Sequence, residues 1–259
     1  MQSNSAMIYT DDSGDPVDLT IVIPAYNEER RIGSTLEAYA KCFSAIYGNS
    51  YIILVVLNGC VDRTEDEVAK LRAAYPQINY VVFPNKLGKG GALIEGFKLA
   101  TGNVVCFVDA DNMVEPPEAI KLVDAMNTTD VAIGNRWHKA SRSRSHRPLQ
   151  RRVLSVVVRL LVKYMLRLNY VDTQCGAKAI RRDALKLIIR DLSEKGWTFD
   201  LDFLVNANRY GLRVKEIPVQ WGHVELDSKV RVFRDLPRDL MSGIRIWFKR
   251  CSRAKPTHV

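Results

Sequence analysis

The sequence predicts an α/β protein with a mostly parallel central sheet and helices on both faces. Three observations predict it. Apolar, β-favouring runs alternate with helical stretches through the first half of the chain, the order expected of parallel strands joined by crossover helices. The runs are continuously apolar, as in strands buried on both faces. Each ends in a cluster of polar or small residues, and open α/β sheets bind ligands beyond the carboxyl ends of their strands.

The elements follow in order. Leu19 to Pro24 reads as a strand, followed by a helix from about Glu29 to Tyr47. Tyr51 to Leu57 is the next strand, with a helix from about Thr64 to Tyr75. Asn79 to Phe83 precedes a helix from about Gly90 to Thr101. Val104 to Val108, a helix from about Pro117 to Met126, and a strand from Asp130 to Gly134 complete the alternation.

The strand ends carry the chemistry. They are Pro24-Ala25-Tyr26-Asn27-Glu28, Asn58 to Thr64, Asn85 to Ala92, and Asp109-Ala110-Asp111. Aligned on one sheet edge, they gather Asn27, Glu28, Asn58, Asp62, Lys86, Lys89, Asp109 and Asp111 in one crevice. Lys89-Gly90-Gly91 opening a helix offers backbone N–H groups and a cation, suited to phosphate. Neither GxxxxGK[ST] nor GxGxxG is present, so a P-loop and a dinucleotide site are disfavoured. Two carboxylates beside a core are costly unless something positive pairs with them. A divalent cation carrying a diphosphate would supply that charge. The competing reading is a solvated loop capping the helix that Pro116-Pro117-Glu118 begins.

The 259 residues suit one large α/β domain, or one with an appendage. Five cysteines without CxxC spacing argue for reduced thiols, against a disulfide framework and against structural zinc. Residues 1–16 read as a disordered, tag-derived N terminus without a secretory leader. No apolar run approaches the ~20 residues that span a bilayer. The net charge of +9 is concentrated: Arg136 to Val171 holds ten Lys/Arg and no acid, and Lys229 to Lys255 holds nine against two. Such a region suggests a polyanionic partner, which could be nucleic acid, a phosphorylated substrate or anionic lipid.

Ile21 to Glu28, Asn58 to Thr64, Asp109-Ala110-Asp111 and Gly134-Asn135-Arg136 resemble family-2 glycosyltransferases of the GT-A fold, a Rossmann-like nucleotide-diphospho-sugar transferase fold. Asp172-Thr173-Gln174-Cys175-Gly176-Ala177-Lys178, Trp197 to Asp202 and Asp227-Ser228-Lys229 resemble dolichyl-phosphate glucosyltransferases and dolichyl-phosphate mannose synthases. The DTQCG stretch is most similar to the glucosyl branch.

The resemblance implies inverting transfer of glucose or mannose from UDP-glucose or GDP-mannose to a polyprenyl (dolichyl) phosphate. It implies Mg²⁺ or Mn²⁺ on Asp111, with Asp109 facing the ribose or donor sugar. Pro24, Ala25, Tyr26, Asn27, Glu28, Asn58, Asp62, Lys86, Lys89, Ala110 and Lys229 would complete the donor site. Where mannose synthases place Gln, this chain has Met113, a poor metal ligand. Arg136, Arg142, Arg151 and Gln174 would hold the acceptor phosphate. A phosphomonoester, with a second pKa of about 6, arrives already nucleophilic and needs cations more than a base. Asp172 and Asp202 are the candidates for an assisting carboxylate, each with a purely structural alternative.

Between Val153 and Leu168, Arg152, Arg159, Lys163 and Arg167 fall within about 100° of a helical wheel, the pattern of a basic helix in a membrane interface. Leu236 to Phe248 is a second such segment. The expected organisation is a catalytic domain over 17–228, divided into a nucleotide-sugar half at 17–135 and an acceptor half at 136–228. A basic amphipathic C-terminal segment follows at 229–259. The expected location is peripheral, on the cytoplasmic face of a membrane. Two alternatives stay open: a family-2 transferase with a soluble acceptor, and a non-catalytic nucleic-acid binder. The second lacks both an RNP-type aromatic pattern and a helix-turn-helix.

Overall fold

The computed structural model describes residues 7–9, 17–141, 163–222 and 232–251. Eight strands form one sheet. They are β1 (Met7–Tyr9), β2 (Leu19–Ala25), β3 (Tyr51–Asn58), β4 (Ile78–Phe83), β5 (Val104–Phe107), β6 (Val131–Asn135), β7 (Lys178–Arg181) and β8 (Val214–Pro218). Their spatial order is β1-β4-β3-β2-β5-β7-β6-β8. The centre, β4-β3-β2-β5, is parallel throughout. β7 runs antiparallel to both β5 and β6, so β6 points the same way as β5 without touching it. β1 is the other reversed strand, paired to β4. Met7–Tyr9 therefore belongs to the sheet, which corrects the expectation of disorder across 1–16.

Alternation along the strands divides the core into two layers. Leu19, Ile21 and Ile23 of β2 face one layer, together with α1 (Ile32–Tyr47), α2 (Thr64–Ala74) and α4 (Pro116–Asp124). Val22 faces the other, with α3 (Lys89–Leu99), α5 (Arg182–Ile188), α6 (Phe199–Arg209) and α7 (Val232–Cys251). Four rings bind the second layer: Phe107 of β5 lies 5.6 Å from Phe97 of α3, 6.1 Å from Phe199 and 5.7 Å from Phe203 of α6. This cluster brings the first turn of α6 to the carboxyl end of β5.

α7 covers part of the segment expected to be basic and amphipathic. Two of its cations pair with residues in and just before α6: the Arg245 guanidinium donates to both Glu194 carboxylate oxygens, and Lys249 Nζ lies 2.6 Å from Asp202. Ile246 is buried, while Met241, Ile244, Trp247 and Phe248 are outward and exposed. No helix among the described residues is long and apolar enough to cross a membrane. The segment expected to lie flat on a membrane, 150–168, falls outside the described residues except for 163–168, as do Arg142, Arg151 and Lys229.

Candidate active site

The strand ends build a cleft lined by Asp109, Asp111, Met113, Val114, Arg136, Gly176 and Trp221. These residues follow β5, β6 and β8 or lead into the reversed β7, so all lie on one sheet edge. Two side chains of α1 fix the acidic loop from beneath. Thr35 Oγ1 donates to the Ala110 carbonyl at 2.9 Å, and Tyr39 Oη donates to the Val114 carbonyl at 2.7 Å. The Met113 N–H donates to Asp111 Oδ1 at 3.2 Å. Burial, and then the Asp109 charge, raise the Asp111 pKa above the usual carboxylate value.

Asp109 has a cation partner. Lys89, the first residue of α3, places Nζ 2.6 Å from Asp109 Oδ1 and 3.9 Å from Asp200 Oδ2. Burial works against the Lys89 charge, but the Asp109 and Asp200 carboxylates outweigh it and raise its pKa above the ordinary lysine value. The other face of Asp109 lies on Gly176. A Cβ at 176 would overlap the Asp109 carboxylate, falling 2.6 Å from its Cγ. Only glycine admits this approach, which joins the acid pair to the DTQCG stretch.

Arg136 and Asp172 form a forked pair: Nε donates to Oδ2 at 2.7 Å and Nη2 to Oδ1 at 2.9 Å. The Arg136 N–H also donates to Oδ2. Burial opposes the Asp172 charge, yet these bonds hold its carboxyl below the usual carboxylate range. Both its oxygens accept from Arg136, so in this structure Asp172, expected as an assisting carboxylate, holds the arginine in place. Asp202, the other carboxylate expected to assist, lies away from the cleft. It is wholly buried, accepts N–H bonds from Ser193, Glu194 and the Asn206 amide, and pairs with Lys249. It ties α6 to α7 and does not reach the cleft.

The loops expected to hold the donor touch one another, but much of their polarity shapes the loops themselves. Asn58 Oδ1, nearly buried, accepts from the N–H groups of Leu87 and Gly88. Asp62 accepts from Thr64 and from the Glu29 N–H, and Asn27 Oδ1 accepts from the Val61 N–H. Glu28 pairs with Arg31 Nε at 2.8 Å. Lys86 Nζ sits 3.7 Å from the centre of the Tyr26 ring, an attractive cation–π contact. Pro24 and Ala25 end β2, and Gln174 is exposed.

The sequence reading missed Thr35, Tyr39, Lys178, Asp200 and Trp221. Asp200 stands two residues before Asp202 in the same motif, and only the helix phase decides which of them turns toward Lys89. Among the described residues, no group of three or more His, Cys, Asp or Glu converges to hold a metal. The donor set fits a hard divalent cation only in part: Asp111 supplies carboxylate oxygen in a cleft with like charge beside it, and water or substrate phosphate would fill the other positions.

A parallel-centred sheet with a paired acid motif, a lysine-led helix and a forked arginine at one edge is the layout of a sugar-nucleotide transferase. The chain belongs to glycosyl transferase family 2, whose family model matches residues 20–189. It is 32% identical over 244 residues to the glycosyltransferase AglD of Haloferax volcanii, covering 93% of this chain and 39% of that protein. It is 31% identical over 226 residues to dolichyl-phosphate beta-glucosyltransferase ALG5D of Trichomonas vaginalis, covering 83% and 69%. With the dolichyl-phosphate beta-glucosyltransferase of Saccharomyces cerevisiae it shares 32% identity over 225 residues, covering 80% and 67%. The fold is that of glucosyl-3-phosphoglycerate synthase from Mycobacterium tuberculosis, solved with Mn²⁺, UDP and glucosyl-3-phosphoglycerate. That match has a TM-score of 0.66 at 20% identity, covering 93% of this chain and 82% of that one.

Proposed function

We propose that this chain is an inverting hexosyltransferase that moves glucose from UDP-glucose to a polyprenyl phosphate such as dolichyl phosphate. The observation that carries this reading is the seat of the Asp109 carboxylate on Gly176. It couples the acid pair expected to face the donor to the stretch that resembles dolichyl-phosphate transferases. The relatives named dolichyl-phosphate beta-glucosyltransferase favour glucose over mannose, and hence UDP-glucose over GDP-mannose.

In this reading Asp111 holds Mg²⁺ or Mn²⁺, and Asp109 contacts the ribose or donor sugar. Bound there, the cation would neutralise charge developing on the leaving diphosphate. Lys89 and Lys86 line the diphosphate path, with Lys229 closing over it. The loops holding Pro24 to Glu28, Asn58 and Asp62 shape the nucleoside pocket. Arg136, held by Asp172, faces the acceptor phosphate, with Gln174, Arg142 and Arg151 extending that side. An acceptor already ionised needs no general base, and this agrees with the commitment of Asp172 and Asp202 to other partners. The chain would work as a peripheral protein on the cytoplasmic face of a membrane.

The test offers the purified chain labelled UDP-glucose or GDP-mannose with Mg²⁺ or Mn²⁺. The acceptor is dolichyl phosphate in anionic vesicles or water-soluble 3-phosphoglycerate. Label from UDP-glucose entering the lipid phase is the expected result. Transfer to the soluble acceptor alone would overturn the lipid reading, and RNA binding without nucleotide-sugar binding would overturn the enzyme itself. Flotation with anionic vesicles at low salt tests the membrane location, which fails if the protein stays at the bottom.

A further inference from the structure

A row of alternating charges leads from the core to the cleft. Lys178, on β7, is completely buried. Its Nζ donates to Asp200 Oδ1 at 2.5 Å and to the Cys175 carbonyl at 2.6 Å. Asp200, in the first turn of α6 and 3% exposed, turns its other oxygen toward Lys89 Nζ at 3.9 Å. Lys89 in turn meets Asp109 at the cleft. Neither Lys178 nor Asp200 lines the cleft.

The buried pair is a poor device for stability alone. Desolvating two charges costs about as much as their attraction returns, and apolar residues of similar volume often hold two elements together at least as well. The Phe97–Phe107–Phe199–Phe203 cluster already joins β5, α3 and α6. What an apolar pair would not provide is a fixed carboxylate behind Lys89. Lys89 has a four-carbon stem with many rotamers, and Asp109 is a third exposed and able to turn toward a ligand. An ammonium tied only to Asp109 would follow it. Asp200 is held from behind by Lys178, which is itself fixed by the Cys175 carbonyl.

We infer that Lys178 and Asp200 are positioning residues that anchor the Lys89 ammonium at the cleft wall while Asp109 engages the donor. The inference rests on the proposed reading that Lys89 faces the diphosphate. Neither residue touches substrate; both act through Lys89.

The test is a double-mutant cycle on the full chain with Asp200→Asn, Lys89→Met and the pair combined. Asp200→Asn keeps the shape and removes the charge. Lys178→Met/Asp200→Leu, which removes both charges and leaves no unpaired ion, guards against misfolding. Two readouts are taken: the dissociation constant for Mn²⁺–UDP by calorimetry, and kcat with KM for transfer from UDP-glucose. A positioning role predicts that Asp200→Asn, which also lowers the melting temperature because it leaves the buried Lys178 unpaired, lowers kcat at least tenfold, and that Lys178→Met/Asp200→Leu shows the same loss of kcat with the melting temperature nearly kept. It also predicts that adding Asp200→Asn to Lys89→Met costs nothing further in kcat. A full kcat in Asp200→Asn, or losses that multiply with those of Lys89→Met, would overturn the inference. If the wild-type chain binds no Mn²⁺–UDP, the proposed function falls first, and this inference with it. If the wild type binds and transfers normally while Asp200→Asn does too, only the positioning role falls.

Discussion

Replacing Gly176 by alanine should disable the site without unfolding the protein. The added methyl would fall 2.6 Å from Asp109 Cγ and closer still to one carboxylate oxygen, and the three atoms nearest to it all belong to that side chain. The backbone need not move; Asp109, 35% exposed, can swing outward. The swing breaks its 2.6 Å contact with Lys89. Overpacking of this kind costs about 1–3 kcal/mol, and near 2 kcal/mol a chain of this size loses roughly 4–8 °C in melting temperature. Activity should fall much further. Losing a preorganised polar contact made in the transition state typically costs about 10²–10³ in kcat. The assay pairs a thermal melt with kcat for transfer from UDP-glucose. In an Asp109→Ala background the space is empty, so Gly176→Ala should then cost almost nothing in melting temperature. Wild-type kcat in Gly176→Ala, or an undiminished melting penalty when Asp109 is gone, would refute the packing of Asp109 on Gly176.

Other outcomes follow from the charged pairs. Asp172→Asn leaves the buried Arg136 without its counter-ion and should cost about 3–5 kcal/mol in urea unfolding at neutral pH. Because folding lowers the Asp172 pKa, its contribution is complete above the unfolded value of about 3.9 and fades as pH falls through the folded one. The gap between wild type and variant should therefore close in acid, below about pH 4. Asp111→Asn should raise the melting temperature of the metal-free protein. Folding raises the Asp111 pKa, so its ionised form opposes the fold at neutral pH; the same variant should abolish the stabilisation by Mn²⁺–UDP that mass action gives the wild type. Lys249→Met strips the buried Asp202 of its cation, although three N–H donors remain. It should lower the unfolding free energy by roughly 3 kcal/mol while KM for UDP-glucose stays within twofold.

The first half of the fold was legible because its signals are local. The β2 to β6 strands are short, continuously apolar runs, and the helices between them begin and end within a few residues of the pattern. β7 was not legible: Lys178–Arg181 is only four residues long, opens on a lysine and inserts between β5 and β6 from a distant part of the chain. The acid pair, Lys89 and Arg136 could be chosen from residue type at strand ends. The roles of Asp172 and Asp202 could not, since each depends on a cation that is 36 or 47 residues away in the chain. Asp200 and Asp202, two apart on a helix, point about 200° from each other at 100° per residue, and nothing local says which turns toward Lys89 and which toward Lys249. The pairing of Arg245 and Lys249 in α7 was hidden for the same reason: Glu194 and Asp202 are their partners, and both precede the helix by many residues.

α7 grips the 193–202 segment at two points, Arg245 on Glu194 and Lys249 on Asp202. That segment in turn braces the start of α3: the Lys195 carbonyl accepts the Gly91 N–H, and the Glu194 carbonyl lies so close to Gly90 that no side chain fits between. The C-terminal helix and the lysine-led turn, some 150 residues apart in sequence, thus belong to one cooperative opening unit. Amide exchange at Gly91 should keep pace with exchange in α7, and loosening α7 would be felt first on the same face of the sheet, as a slackened turn beside Lys89.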